Sequence, residues 1–285
     1  YFIRNIKESV YIKYYYIYKT ISFYFLCLFF KVLIIMNNSN FLNDNFLAFA
    51  HRGGNDFGPE NSLKSFMCAY EIGYKYLETD VHLSKDGYLV AFHDESLDRV
   101  TNKTGLIKDL NLNDIKKAKI NDVEEIPLLI DLLENLPGCF FNIDCKSDDT
   151  VIPLINLIKK YSLLDRVCIG SFSQKRINFI RRSLGSNVKT SMGPNEILFA
   201  KILSNFSVGI NLKSTYASLP MKRYGFNLLN KKYINFLKKN NQKVIAWTIN
   251  DETEMRLLIK RGVDGIMTDN ILLLKNILIE ENKWK

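Results

Sequence analysis

Cysteine is scarce: Cys27, Cys68, Cys139, Cys145 and Cys168 make an odd number with no pair at short spacing. A disulfide framework and a cysteine-based zinc centre are thereby excluded, and the five read as small buried hydrophobes in a reducing compartment. No glycine-rich dinucleotide fingerprint occurs, which argues against an open doubly wound sheet. The longest apolar run, Ile21 to Ile35, is 15 residues and is interrupted by Ser22 and Lys31. That falls short of the roughly 20 residues that span a bilayer. The formal charge is +9, but residues 1–36 carry +4 of it, and the other 249 residues show no dense basic stripe. Nucleic acid is therefore not an expected partner, and a mild preference for small anionic substrates is what remains. No protein partner is implied.

What is present fits one folded domain. Hydrophobic residues make up 47% and charged residues 24% of the chain, ordinary values for a globular protein with a buried core. Residues 1–36 are set apart as a monotonous hydrophobic arm of Tyr, Phe, Ile and Lys before the first methionine, Met36. They read either as a membrane anchor, which would make the protein membrane-associated, or as sequence foreign to a cytoplasmic domain. The domain itself is placed at 46–280.

From Phe46 onward, short β-branched or aromatic runs alternate with segments of helical period, the pattern of repeated βα units. Strands are expected at 46–51, 76–82, 139–145, 166–172, 188–192, 207–212, 243–249 and 264–268. A first helix is expected to open at Pro59, with Leu63, Phe66, Met67 and Tyr70 on one face and Gly73 as its stop. Later helices are expected at 150–160, 173–184, 230–240 and 251–261. The run 88–93 follows the second strand too closely for a parallel crossover, so it reads as a hairpin arm at the mouth. Eight parallel strands with intervening helices point to an α/β fold, a single-domain TIM-like (β/α)8 barrel.

Strand alternation puts Glu78, Asp80 and His82 on one face of the second strand. On the next, Asn142, Asp144 and Lys146 share a parity. Burying two or three carboxylates together demands a cation or several donors nearby. Glu78, Asp80 and Asp144 would form an all-oxygen cluster suited to magnesium or calcium; the competing reading is a salt-bridge network with Arg52 and Lys146. His51 and His93 close the first strand and the hairpin arm at the carboxyl-terminal rim, where catalytic groups gather in barrels, and both can exchange protons at neutral pH. His82 is the weaker candidate. Phe172 and Trp247 would form an apolar wall for substrate or simply pack in the core, and Asp269 is expected to fix a loop or the His51 region rather than contact metal.

The ordered set Ala50-His51-Arg52-Gly53-Gly54, Pro59-Glu60-Asn61-Ser62, Leu77-Glu78-Thr79-Asp80-Val81, His93-Asp94, Asn142-Ile143-Asp144-Cys145-Lys146, Trp247-Thr248-Ile249-Asn250 and Gly262-Val263-Asp264-Gly265 resembles the glycerophosphodiester phosphodiesterase family. The resemblance runs from about 47 to 278. It implies a metal-dependent phosphodiesterase, a phosphoric diester hydrolase of glycerophospholipid catabolism that releases glycerol 3-phosphate and an alcohol. It also implies roles: Glu78, Asp80 and Asp144 on a divalent metal, Mg2+ or Ca2+, His51 and His93 as acid and base, and Arg52 and Lys146 on the phosphate. The attacking oxygen would be the substrate's own 2-hydroxyl or water. Two departures stand out. Asp144 occupies a position where much of the family has Glu, and only 33 residues separate His93 from Pro127, which implies an open mouth and a small diester substrate. A lysophospholipase D acting on lysolipids, favoured by the hydrophobic arm, is one alternative. A non-catalytic phosphate-binding or membrane-tethered module is the other.

Overall fold

A computed structural model describes residues 44–206, 209–223 and 225–284. The hydrophobic arm, and with it any anchoring role, lies outside the described residues. Among those residues no helix is long and apolar enough to cross a membrane.

Eight parallel strands form the barrel, and a ninth is appended to it. In chain order the strands are β1 (Leu47–His51), β2 (Tyr76–Leu83), the appended β3 (Leu89–Ala91), β4 (Phe140–Cys145), β5 (Val167–Gly170), β6 (Lys189–Thr190), β7 (Tyr216–Pro220), β8 (Lys243–Trp247) and β9 (Gly265–Thr268). Around the barrel they run β6-β5-β4-β2-β1-β9-β8-β7. A parallel bridge between Ser191 and Tyr216 closes the circle. As expected for the hairpin arm, β3 returns antiparallel to β2, with His82 opposite Val90. Each barrel strand leads to a helix: α1 (Leu63–Glu71), α2 (Leu129–Asn135), α3 (Val151–Lys160), α4 (Gln174–Leu184), α5 (Pro194–Leu203), α6 (Lys231–Lys239), α7 (Glu252–Arg261) and α8 (Ile271–Glu280). This is the (β/α)8 order.

Three expectations need correction. The sixth barrel strand is Tyr216–Pro220, not 207–212: residues 209–212 are coil, and 207–208 lie outside the described residues. Residues 209–212 have no strand pairing, whereas Tyr216–Pro220 pairs with β8 along its whole length. The first helix opens at Leu63, because Ser62 Oγ accepts from the Ser65 N–H and caps it; the Glu60 carboxylate is occupied by Arg52 and Arg99 instead. Helices α2, α5 and α8 were not foreseen.

Strand parity divides the barrel. Outward residues such as Ala50, Leu77, Ile143 and Ala246 pack beneath the helices. Inward residues at the amino-terminal end, among them Leu47, Phe49, Tyr76, Phe140 and Tyr216, fill the interior. Tyr76 stacks on Phe140 with centroids 5.4 Å apart and meets Phe49 at 5.2 Å; such pairs contribute about 0.5–1.5 kcal/mol each beyond area burial. Residues 90–126 carry a small core of their own, built on Phe92, Leu97, Ile107, Ile115 and Ile120. The floor of the barrel is thus apolar and aromatic, and polar groups are displaced to the opposite rim.

Candidate active site

On β1, β2 and β4 the inward positions one step further along the strand become polar. Above Phe49 stands His51, above Tyr76 stand Glu78 and Asp80, and above Phe140 stand Asn142 and Asp144. Pairing of β1 with β2 sets His51 beside Glu78, and pairing of β2 with β4 sets Asp80 beside Asp144. All nine residues singled out from the sequence, His51, His93, Arg52, Lys146, Phe172, Trp247, Glu78, Asp80 and Asp144, line one cavity of about 120 Å3 at this rim.

The turn after β1 is unusual backbone. Arg52, Gly53 and Gly54 all have positive φ, at 52°, 84° and 81°. A Cβ on Gly54 would come within 2.7 Å of Ile271, and one on Gly53 within 2.4 Å of Ser65, so glycine is required at both. The turn folds Arg52 back over the site. Its backbone N–H donates to Glu78 Oε2 at 3.2 Å and its guanidinium donates to Glu60 at 3.0 Å. Its Nε lies 3.2 Å from Asp80 Oδ2. Direction rather than distance fails there, since Nε makes no hydrogen bond and remains a buried donor aimed into the cluster.

Lys146 is the electrostatic keystone. Its ammonium bridges Asp80 Oδ1 and Asp144 Oδ2, each at 2.8 Å. Burial works to raise the Asp80 pKa, but Lys146 and Arg52 outweigh it and hold the carboxyl below its usual range. Glu78 goes the other way: burial, then the Asp80 charge, push it well above the ordinary carboxylate value. Asn61, buried beneath, donates to Asp80 Oδ2 at 3.2 Å and accepts from Thr79 at 2.9 Å.

Both histidines are held through Nδ1. His51 Nδ1 donates to Asp269 Oδ1 at 2.7 Å, as expected for Asp269. Burial lowers the His51 pKa, yet the Asp269 hydrogen bond and the Glu78 charge prevail and the net shift is upward. His93 Nδ1 pairs with Asp94 at 2.5 Å. Asp94 is held by Arg99, and Arg99 donates to Glu60 at 2.6 and 3.1 Å, so one chain of charges runs from His93 to Arg52. His82 does not join the cavity. Its Nε2 meets the His93 carbonyl at 3.0 Å, a positioning contact under the hairpin arm.

At the other side of the mouth, Phe172 is 51% exposed and meets Trp247 edge-on at 5.8 Å. The Arg223 guanidinium stacks 5.2 Å from the Phe172 centroid. Sequence reasoning missed Arg223, which lies beyond β7 in no motif, and the Asp94–Arg99–Glu60 relay, whose members are scattered along the chain. Asn142 was placed on the correct parity without a role; its Oδ1 accepts from Tyr216 Oη at 2.5 Å and seals the floor.

The donors at Glu78, Asp80 and Asp144 are hard oxygens, and burial beside Asp80 disfavours the ionised form of Glu78 unless a cation joins it. Both facts fit a hard divalent ion. Lys146 competes with such an ion for Asp80 and Asp144, and among the described residues no three acid, histidine or cysteine groups converge on one point as they stand. The donor chemistry fits a metal; the arrangement is one already neutralised by an ammonium.

The chain is similar to known proteins over most of its length. A protein of Mycobacterium tuberculosis named "Probable glycerophosphodiester phosphodiesterase 2" is 32% identical, over 84% of this chain and 92% of its own. A glycerophosphodiester phosphodiesterase of Caldanaerobacter subterraneus is 34% identical, over 81% of this chain and 97% of its own. Among solved structures, a Silicibacter pomeroyi protein described as a putative glycerophosphoryl diester phosphodiesterase has a TM-score of 0.72 at 18% identity, covering 85% of this chain and 96% of its own. An Oleispira antarctica phosphodiesterase, solved in complex with the product sn-glycerol-3-phosphate, has a TM-score of 0.69 at 24% identity, covering 81% and 96%. The profile of the Glycerophosphoryl diester phosphodiesterase family matches residues 51–273, and with most of the barrel inside that match the chain belongs to this family.

Proposed function

We propose that the protein hydrolyses glycerophosphodiesters to glycerol 3-phosphate and an alcohol. One observation carries the reading: two histidines face one cavity, each tied through Nδ1 to a carboxylate, Asp269 at 2.7 Å and Asp94 at 2.5 Å. A carboxylate on Nδ1 fixes the tautomer and leaves Nε2 to accept a proton when the ring is neutral and to donate one when it is charged. One histidine takes the proton from the attacking oxygen. The other delivers one to the departing alkoxide, a poor leaving group that needs an acid.

Arg52 and Lys146 bind the phosphoryl oxygens, Arg52 through a planar fork whose Nε has no hydrogen-bond partner of its own. Glu78, Asp80 and Asp144 would hold a magnesium or calcium ion, which when bound draws charge from the phosphoryl oxygens. Phe172 and Trp247 wall the cavity beside the alcohol and keep water from the face they cover. The test is release of glycerol 3-phosphate from glycerophosphocholine by the purified full chain, with and without chelator. No release with either magnesium or calcium supplied would refute the activity. Release that chelator leaves untouched would remove the metal alone.

A further inference from the structure

The two walls of the cavity differ in charge. Its three carboxylates, Glu78, Asp80 and Asp144, all stand on β2 and β4. Directly across the barrel lie β7 and β8. They and their neighbours give the cavity Ile197, Ser218, Arg223 and Trp247. This wall belongs to a stretch, residues 197–250, that holds nine Lys and Arg and no Asp or Glu. The chain's formal charge of +9 is thus matched by this one segment. Its cations are too dispersed to form a run in the sequence, and it is the fold that brings some of them to the site.

Arg223 sits on a two-stranded ribbon, Lys222–Arg223 against Phe226–Asn227. With Lys201 it lines a groove that shares Pro194, Ile197 and Arg223 with the cavity and therefore opens out of it. No acid lines the groove. Glu196, on the same helix as Lys201, is held by Arg181 at 2.6 and 3.0 Å.

An exposed aromatic pair such as Phe172 and Trp247 would by itself attract a cationic head group. Here the Phe172 ring already has two of the protein's own cations, with Lys146 Nζ 5.8 Å and the Arg223 guanidinium carbon 5.2 Å from its centroid. A head-group ammonium arriving there meets like charge. An anionic head group meets a planar guanidinium, which grips phosphate or carboxylate oxygens in pairs. With the phosphodiester held at Arg52 and Lys146, the arm of the substrate that leaves by the groove passes Arg223.

We propose that Arg223 is a specificity-determining residue that selects glycerophosphodiesters whose departing alcohol carries an anionic group. The inference rests on the phosphodiesterase reading of the cavity. The hydrolysis itself is unchanged: a water oxygen ends on phosphorus, the bond from phosphorus to the head-group oxygen breaks, and a proton passes to the departing alkoxide. The products are glycerol 3-phosphate and an alcohol that keeps its anion.

The test uses a matched pair on the full chain, glycerophosphoinositol and glycerophosphoinositol 4-phosphate, which differ by one phosphate on the same ring. A charge-assisted contact at a partly exposed rim is worth between about fivefold and about tenfold, and kcat/KM should favour the phosphorylated substrate by that ratio. Arg223→Gln should bring the ratio to about one, and Arg223→Lys should keep part of it. In the parent, the ratio should fall as ionic strength rises from about 0.05 to about 0.5 M. A parent ratio of one or below, or a ratio that Arg223→Gln retains, would overturn the proposal and leave the cavity's reading intact. Should Arg223→Gln lose both activities, the salt response of the parent decides, and a ratio insensitive to salt would overturn it. Failure of the parent on both substrates and on glycerophosphocholine would bring down the cavity's reading as well.

Discussion

Asp269→Asn is the sharpest probe of the His51 assignment, because the surrounding hydrogen bonds dictate how the new amide must lie. Asn250 Oδ1 accepts from the Asp269 N–H at 2.9 Å and from Thr268 Oγ1 at 3.0 Å. Its amide NH2 therefore points at Asp269 Oδ2, 2.7 Å away. In the variant, the new carboxamide must offer its oxygen to Asn250 and turn its own NH2 toward His51 Nδ1. That nitrogen would have to become an acceptor, which moves the imidazole proton to Nε2 and removes the lone pair that faces the cavity. A charge-assisted hydrogen bond contributes about 1.5–3 kcal/mol, which at about 1.4 kcal/mol per decade is about 10- to 200-fold in turnover. Steady-state kcat on glycerophosphocholine should fall by that amount with KM little changed, and the thermal midpoint should stay near the parent's. Turnover within about threefold of the parent would refute the argument that Asp269 sets the tautomer of a catalytic His51.

Removing either ring outright, His51→Ala or His93→Ala, should cost at least the roughly 100-fold of a general acid or base; aryl diesters with good leaving groups should forgive the loss of whichever histidine is the acid. Asp144→Asn should weaken metal activation and be rescued in part by excess magnesium or calcium, measured as activity against added ion, and an unchanged activation curve would strike Asp144 from the ligand set. Glu60→Gln tests the relay between Arg52 and Arg99. Burial works to raise the Glu60 pKa, but the Arg99 hydrogen bond and the charges of Arg52 and Arg99 lower it. Its stabilising effect is therefore present above the unfolded carboxyl's value and lost as pH falls through the folded one. The variant should be less stable than the parent by about 1–2 kcal/mol near neutrality, and denaturation midpoints should converge in acid; a gap that persists in acid contradicts the sign.

The site was more legible than the frame that carries it. Glu78, Asp80 and Asp144 could be placed because parity along a strand is a local property: two residues on always means the same face. The sixth strand could not. Tyr216-Ala217-Ser218-Leu219-Pro220 presents Ser218 to the cavity and ends on proline, so its apolar pattern is weak, and only the pairing with β8 reveals it. The apolar run at 207–212 looked stronger because hydrophobic alternation says nothing about which partner is in reach. Helix α5 escaped for a related reason. With apolar residues on all sides, it offers no polar face from which a period can be read. Arg99 reaches Glu60, 39 positions earlier, and such a contact exists only once the barrel has brought its loops together.

The closure at Ser191 and Tyr216 bears on how the molecule breathes. Strand β6 is two residues long and is joined to β7 by one bridge, with Thr215 N–H donating to Thr190 at 2.8 Å and Met192 N–H to Tyr216 at 2.9 Å. The β2–β4 seam has six paired positions. Local opening starts where the fewest bonds must break, so the amides of Met192 and Thr215 should exchange with solvent before those of β2 and β4. Because Ser191, Met192 and Pro194 line the cavity, fluctuation at this seam would widen the cavity on the side toward α5 while the carboxylates and His51 stay on the well-paired staves.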